Sequence, residues 1–208
     1  MRNQLRKPNF FITNRIKFTV SKHSPAIINI KEPFYTAKPV KTGGFYMEPV
    51  ILRPFTVNDL PILKKWLYQD YILRWFEHPE SWLGEAENKN GEFDFIHHFI
   101  VMDGGIPIGF CQYYDCYFAQ EEWYEITSPG VTFSIDYLIG EPGCLRMGLG
   151  KAIIGELGRM VLEDAHGGEI IVQPDTKNKA SCGVLEAAGY RFCEKQGYYY
   201  KELAAPSA

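Results

Sequence analysis

Between Lys89 and Arg146 the chain has no Lys and no Arg. The same stretch holds nine acids: Glu92, Asp94, Asp103, Asp115, Glu121, Glu122, Glu125, Asp136 and Glu141. A field of this sign draws cations and repels nucleic acid. No nucleic-acid partner is therefore expected, and a small cationic amine is a compatible ligand. A solvated acidic face that only aids solubility accounts for the charge alone. Long apolar runs are also missing. Nothing approaches the ~18 residues that mark a membrane span, so no membrane partner is expected. The early run Phe10–Phe11–Ile12 is cut by Thr13, Asn14 and Arg15. That is too short for the core of a signal peptide, and a cytoplasmic protein is expected. The five cysteines, Cys111, Cys116, Cys144, Cys182 and Cys193, form no CxxC and stand at no zinc spacing from a His. They read as free thiols in a reducing compartment. The neighbours His97 and His98 read as strand residues on opposite faces, unsuited to one metal. No metal site is expected.

The chain has 208 residues, 46% apolar and 23% charged, which suits one soluble domain. Its charge is unevenly spread. Residues 1–46 hold nine of the 22 bases and a single acid, Glu32, leaving 13 bases and 24 acids to Met47–Ala208. This first segment carries Pro8, Pro25, Pro33, Pro39 and Gly43–Gly44 and shows no helical or strand period. It reads as a basic extension of unknown role. Two readings stay open: a flexible arm, or residues preceding a natural start at Met47. The domain proper is read as 47–208. Nothing in the sequence sets an oligomeric state.

Patterns from Met47 onward predict a mixed α/β chain with a mixed sheet. Val50–Arg53 reads as a strand, followed by a helix that carries Leu60, Leu63, Trp66 and Leu67 on one stripe. Tyr71–Phe76 reads as a second helical piece, and the polar segment Glu80–Glu92 as a loop or mobile helix. Phe95–Met102 and Ile106–Tyr114 read as strands joined by the turn Asp103–Gly104–Gly105. Val131–Ile139 is a further strand. Leu149–Glu163 is an amphipathic helix with Ile153, Ile154, Leu157, Met160 and Val161 on one face. Glu169–Val172 is a short buried strand, and Asn178–Ala188 is a helix closed by Gly189. Tyr190–Glu194 and Tyr198–Glu202 form a final hairpin.

The segment Leu145–Arg146–Met147–Gly148–Leu149–Gly150–Lys151 joins a strand to a helix. Glycines there allow close backbone approach, and a helix N-terminus favours an anion such as phosphate. A nucleotide P-loop, GxxxxGK[ST], fails at Leu145 and at Ala152. A dinucleotide fingerprint, GxGxxG, fails at Ile153. A purely structural turn remains open.

This loop resembles that of the GNAT superfamily of acyl-CoA N-acyltransferases, [QR]-x-x-G-x-[GA]. Its glycines match Gly148 and Gly150. Leu145 departs from the first position, with Arg146 beside it. The resemblance implies a GNAT fold whose central strands, Val131–Ile139 and Glu169–Val172, splay to admit the pantetheine arm of acetyl-CoA. It implies that the backbone of Leu145–Lys151 holds the pyrophosphate, with Asn178 near the pantetheine. More closely, Val50–Leu203 resembles the aminoglycoside 6'-N-acetyltransferases. The carrying segments are Ile51–Leu52–Arg53, Lys65–Trp66–Leu67, Arg74–Trp75–Phe76, Pro107–Ile108–Gly109–Phe110–Cys111–Gln112, Pro129–Gly130–Val131 with Ile135–Asp136, Gly148–Leu149–Gly150–Lys151 and Glu186–Ala187–Ala188–Gly189–Tyr190. An N-acetyltransferase acting on the 6'-amine, hence antibiotic resistance, is the activity this implies.

Attack of an amine on a thioester needs the two held together and the ammonium proton removed. Asp136 is the expected base, and the resemblance places Ile135–Asp136 against the reacting amine. Asp115, Glu121 and Glu122 around Trp123 read as a cation-binding wall, with Trp75 and Phe76 opposite. GNAT enzymes often protonate the departing thiolate with a tyrosine in the last helix. That position is Leu185 here, and Tyr198, Tyr199 and Tyr200 are substitutes in the final hairpin. Two alternatives stay open: a related acyltransferase acting on a siderophore hydroxylamine or other amine, and a GNAT module that binds its ligands without turnover.

Overall fold

The computed structural model describes residues 50–163 and 165–203, and the strand backbone at 35–36, 41–42 and 45–46. Strands β1 (Tyr35–Thr36), β2 (Lys41–Thr42) and β3 (Phe45–Tyr46) precede β4 (Ile51–Pro54). Helices α1 (Leu60–Leu67), α2 (Asp70–Leu73) and α3 (Pro79–Glu87) follow. Next come β5 (Ile96–Asp103), β6 (Ile106–Asp115), the single turn α4 (Cys116–Ala119) and β7 (Thr132–Ile139). Helix α5 (Leu149–Glu163), β8 (Glu169–Val172), α6 (Lys179–Ala187), β9 (Arg191–Cys193) and β10 (Tyr198–Glu202) complete the order. One sheet runs β1-β4-β5-β6-β7-β8-β10-β9, and β2 pairs with β3 separately. Among the described strands β7 and β8 are parallel neighbours and every other pair is antiparallel. The expected mixed α/β sheet is the one observed.

The sheet carries a layer on each face. On one, α5 and α6 cover Leu52, Val101, Tyr113, Phe133 and Ile135. The α5 residues Ile153, Ile154, Leu157, Met160 and Val161 are all buried, each stabilising by about 1.5–3 kcal/mol relative to exposure. On the other face, α1 and α3 cover Ile100, Phe110 and Leu138 through Leu63, Trp66, Leu67 and Ala86. Arg53 starts this layer by donating to both oxygens of Asp59, at 3.0 and 2.6 Å, just before α1.

Three local readings are refined. Of the loop or helix read at Glu80–Glu92, the helix is found, as α3, which ends at Glu87 and is entered through His78 in the left-handed region and Pro79 in its first turn. It buries Glu85 with Ala86, so a charged residue occupies the inner face and no apolar period shows. The helical piece expected at Tyr71–Phe76 is the single turn Asp70–Leu73. Short strands lie within the segment read as loop-like, and Tyr35–Thr36 extends the sheet by pairing with Leu52 and Ile51. The rest of the basic extension read at residues 1–46, and Met47 as a start, lie outside the described residues. Gly189, with φ of 86°, ends α6 as expected.

Candidate active site

Strands β7 and β8 pair at Thr132–Glu169, Phe133–Ile170 and Ser134–Ile171. Beyond Ser134, β7 runs on to Ile139 while β8 ends at Val172, and the register of β7 continues on its β6 side through Ile135, Asp136 and Tyr137. The sheet therefore opens at Ile135–Tyr137. Successive residues there point to opposite faces. Tyr137 points to the α5–α6 layer, and Asp136 to the α1–α3 layer with Leu138.

The loop Leu145–Lys151 lies at the start of α5. Leu145, Arg146, Met147, Gly148 and Lys151 are exposed; Leu149 and Gly150 are buried. Arg146 and Gly148 have φ of 63° and 81°. The left-handed region is costly for Arg and free for Gly. The Gly148 carbonyl accepts from Lys151 and Ala152 N–H at 3.2 and 3.3 Å, so the helix is entered from Gly148. The first N–H groups of α5 have no carbonyl within the helix to accept them. A Cβ on Gly150 would lie 3.3 Å from the Tyr137 ring and 3.4 Å from Val184. A side chain at Gly150 would therefore need Tyr137 or Val184 to give by a few tenths of an ångström. This cradle fits a pyrophosphate at the helix start and an extended arm in the sheet opening. Asn178 caps α6, its Oδ1 accepting the Ser181 N–H at 3.1 Å. That role is structural and fixes the end of α6 near Tyr137, whose hydroxyl pairs with Ser181.

Asp136 belongs to a polar row that crosses three strands. His98 of β5 pairs with Gln112 of β6, and Gln112 with Asp136 of β7. Gln112 is 1% exposed, and its Nε2 donates to Asp136 Oδ2 at 3.1 Å and to Glu85 Oε1 at 3.1 Å. Glu85 Oε1 is also 3.5 Å from His98 Nε2, within ion-pair range but without hydrogen-bond geometry. Glu85 and His98 are 4% and 5% exposed. A buried carboxylate from a helix thus hangs over the row that ends in Asp136. His97 is exposed and His98 buried, as their alternation requires.

In the acidic loop, Asp115 is buried and occupied. Its Oδ1 accepts the Tyr117 N–H at 2.9 Å and its Oδ2 the Gly130 N–H at 2.6 Å. Expected in a cation-binding wall, Asp115 instead ties α4 to the turn before β7. Glu121 accepts from the Trp123 indole at 2.6 Å and from the Tyr114 hydroxyl at 3.3 Å. Burial pushes the Tyr114 hydroxyl well above the usual tyrosine range, with Glu121 and then Asp136 adding to the rise, so Asp136 and Glu121 share one electrostatic neighbourhood. Glu122 is exposed. Trp123 packs edge-on to Tyr198, ring centres 5.7 Å apart, which brings the final hairpin against this loop. A cavity of about 300 Å³ beside it is lined by Glu121, Tyr124 and Glu125 among others. Phe76 packs on Trp82 at 4.8 Å within the α1–α3 core, and Trp75 is half-buried after α2. Leu185 is fully buried. Tyr199 is engaged with Glu186 at 2.9 Å.

The sequence reading assigned no role to Glu85, His98, Gln112 or Tyr114. Gln112 ends the Pro107–Gln112 segment that carries the resemblance, and the alternation of His97 and His98 is a further signal. Among the described residues no cluster of three or more His, Cys, Asp or Glu could hold a metal, and no helix is long and apolar enough to cross a membrane.

A sheet opened between its parallel strands, with a glycine-lined helix start on one side and a carboxylate on the other, is an arrangement suited to a group-transfer enzyme. The chain belongs to the acetyltransferase (GNAT) domain family, whose model it matches over residues 56–196. It is an acetyltransferase, and the acetyl donor of this family is acetyl-CoA. It is 29% identical over 157 residues to the aminoglycoside N(6')-acetyltransferases type 1 of Klebsiella pneumoniae and Serratia marcescens, covering 72% of this chain and 76% of each relative. Among solved structures it is similar to AAC(6')-Ib in complex with paromomycin and acetyl-CoA, with a TM-score of 0.64 and 25% identity over 74% of this chain and 93% of that one. A similar likeness holds to AAC(6')-Ib with coenzyme A and kanamycin, TM-score 0.63. At 16% identity and a TM-score of 0.57, an aminoglycoside N(6')acetyltransferase from Legionella pneumophila shares the fold.

Proposed function

We propose that this enzyme acetylates the 6'-amine of an aminoglycoside. The observation that carries the reading is Asp136 at the sheet opening, held by Gln112 and followed in space by the acids of the Glu121–Glu125 loop. The relatives named above, which act on or bind aminoglycosides, support the same substrate class.

Acetyl-CoA, when bound, supplies the acetyl group as an activated thioester. The N–H groups and cations of Leu145–Lys151 hold its phosphates. The opening of the sheet beside Ile135–Tyr137 takes the pantetheine arm. Asp136 holds the incoming ammonium and accepts its proton, freeing the nitrogen lone pair for attack. Glu121, Glu122 and Trp123 hold ammonium groups and a sugar face further out; Trp75 lies on the neighbouring α2 side. Orientation of two ligands contributes on the order of 7–11 kcal/mol in well-aligned systems, so the chain needs little further chemistry. Leu185 offers no proton to the leaving thiolate. Mass spectrometry and NMR of kanamycin incubated with enzyme and acetyl-CoA test the reading. A single acetyl group on the 6'-nitrogen is expected; acetylation of a hydroxylamine but of no aminoglycoside would overturn the substrate class.

A further inference from the structure

We propose that Gln112 is the positioning residue of Asp136, and that Glu85 is the buried carboxylate that sets how readily Asp136 gives and takes a proton. The inference deepens the proposed function and rests on Asp136 as the base of that site.

The geometry carries it. A carboxamide Nε2 has two hydrogens, and in Gln112 these go to Glu85 Oε1 and Asp136 Oδ2, both at 3.1 Å. One buried side chain therefore bridges two carboxylates and fixes their separation at no more than about 6 Å, a range at which like charges affect each other's protonation. Gln112 cannot turn its amide without losing both bonds, because its Nε2 is the donor and its Oε1 has no hydrogen-bond partner. Its hydrogen bond favours the ionised form of Asp136, and the charge of Glu85 opposes it. The two influences have opposite signs, which leaves Asp136 able to release the proton it accepts. A Gln that merely filled space would need neither the bridge nor a buried acid above it. A Leu or Met in its place would take the amide donor away from the buried Glu85 carboxylate and from Asp136.

Other groups face Asp136. His98 of β5 lies in the same row beside Glu85. Tyr114 of β6, with Glu121 from the following loop, shares its electrostatic neighbourhood. Their contribution is separated by substitution.

The test is the NMR titration of the Asp136 carboxyl carbon in protein labelled at aspartate, its signal assigned by absence from Asp136→Asn. The expected result is a rise of about half a unit or more in the Asp136 midpoint in Gln112→Leu, and a fall of similar size in Glu85→Gln. Both shifts persist in a His98→Asn background. Turnover in Gln112→Leu falls on the order of 10-fold with the KM for acetyl-CoA unchanged. If Gln112→Leu does not fold, Gln112→Glu serves, and its added charge also raises the midpoint. Unmoved midpoints in Gln112 and Glu85 variants would overturn the proposal, as would shifts of the same sign. Wild-type kcat in Asp136→Asn would instead remove the base assignment, and the titration still decides whether Gln112 and Glu85 govern Asp136.

Discussion

The carboxylate of Asp115 accepts the backbone N–H of Gly130, fifteen positions further along the chain, at 2.6 Å. With its second bond to Tyr117, this makes Asp115 the clasp that closes the acidic loop onto β7. Asp115→Ala leaves two backbone donors without their acceptor and should cost about 1–3 kcal/mol of stability. Urea unfolding measures that cost. The KM for the amine should rise through loss of loop order, with the KM for acetyl-CoA unchanged.

The end of β7 is held by packing rather than by charge. A Cβ on Gly140 would sit 2.2 Å from the Trp66 ring, and Trp66 is fully buried. Gly140→Ala is therefore expected to destabilise by about 3 kcal/mol or more. Glu141, beside it, accepts from Lys65 and the Trp66 indole at 2.9 Å, and Lys65, then Trp66, hold its carboxyl below the usual range. Glu141→Gln keeps an acceptor for the indole and should cost under about 1 kcal/mol. Thermal unfolding of the two variants distinguishes the effects, and a larger loss in Glu141→Gln would reverse this ranking.

The cofactor loop separates conformation from charge. Gly148 has φ of 81°, a region in which a β-branched residue is strained. Gly148→Val should weaken acetyl-CoA binding by about 10-fold or more through distortion of the helix entry. Arg146 also has positive φ, at 63°. Arg146→Gly relieves strain, so the fold should be no less stable, while loss of an exposed cation weakens binding by about 2–5-fold. Isothermal titration with acetyl-CoA reads both. Unchanged affinity in a folded Gly148→Val protein would make the loop structural only.

Glu121 and Glu122 are neighbours with different duties. Glu122 is exposed, whereas Glu121 is bonded to the Trp123 indole and the Tyr114 hydroxyl. Glu122→Gln should raise the KM for the amine by about 1.5–5-fold at low salt and by less at high salt, because exposed charges are screened within about 8–10 Å. Glu121→Gln disturbs Trp123 as well, so its effect should persist at high salt. Steady-state kinetics at two ionic strengths tests the pair.

Much of this was legible in the chain itself. Leu149–Glu163 and Glu169–Val172 appear in the structure with the bounds read from the sequence, because α5 buries one regular apolar face and the short apolar run of β8 is buried on both faces through Ile170 and Ile171. The glycine loop and Asp136 could be named from local pattern. The polar row could not. Counting back from the turn pairs Asp103 with Ile106 and Met102 with Pro107; the same step carried on would set His97 opposite Gln112. The irregularity between Val101 and Met102 shifts the register by one, and His98 faces Gln112 instead. The extra residue is Ile108 of β6, between Pro107 and Gly109, and it decides which histidine lies beside Gln112. Helix α3 stayed undecided between loop and helix, because Glu85 on its inner face looks like a solvent-facing charge until Gln112 and His98 are seen beneath it.

The most direct test of the whole account is thiol release from acetyl-CoA with kanamycin, comparing the wild-type chain with Asp136→Asn. The substitution keeps the shape of the side chain and removes the base. The account predicts turnover by the wild type that depends on kanamycin. It also predicts a loss in kcat on the order of 100-fold in Asp136→Asn, with the affinity for acetyl-CoA unchanged. Absence of kanamycin-dependent thiol release by the wild type, or full kcat in Asp136→Asn, would contradict it.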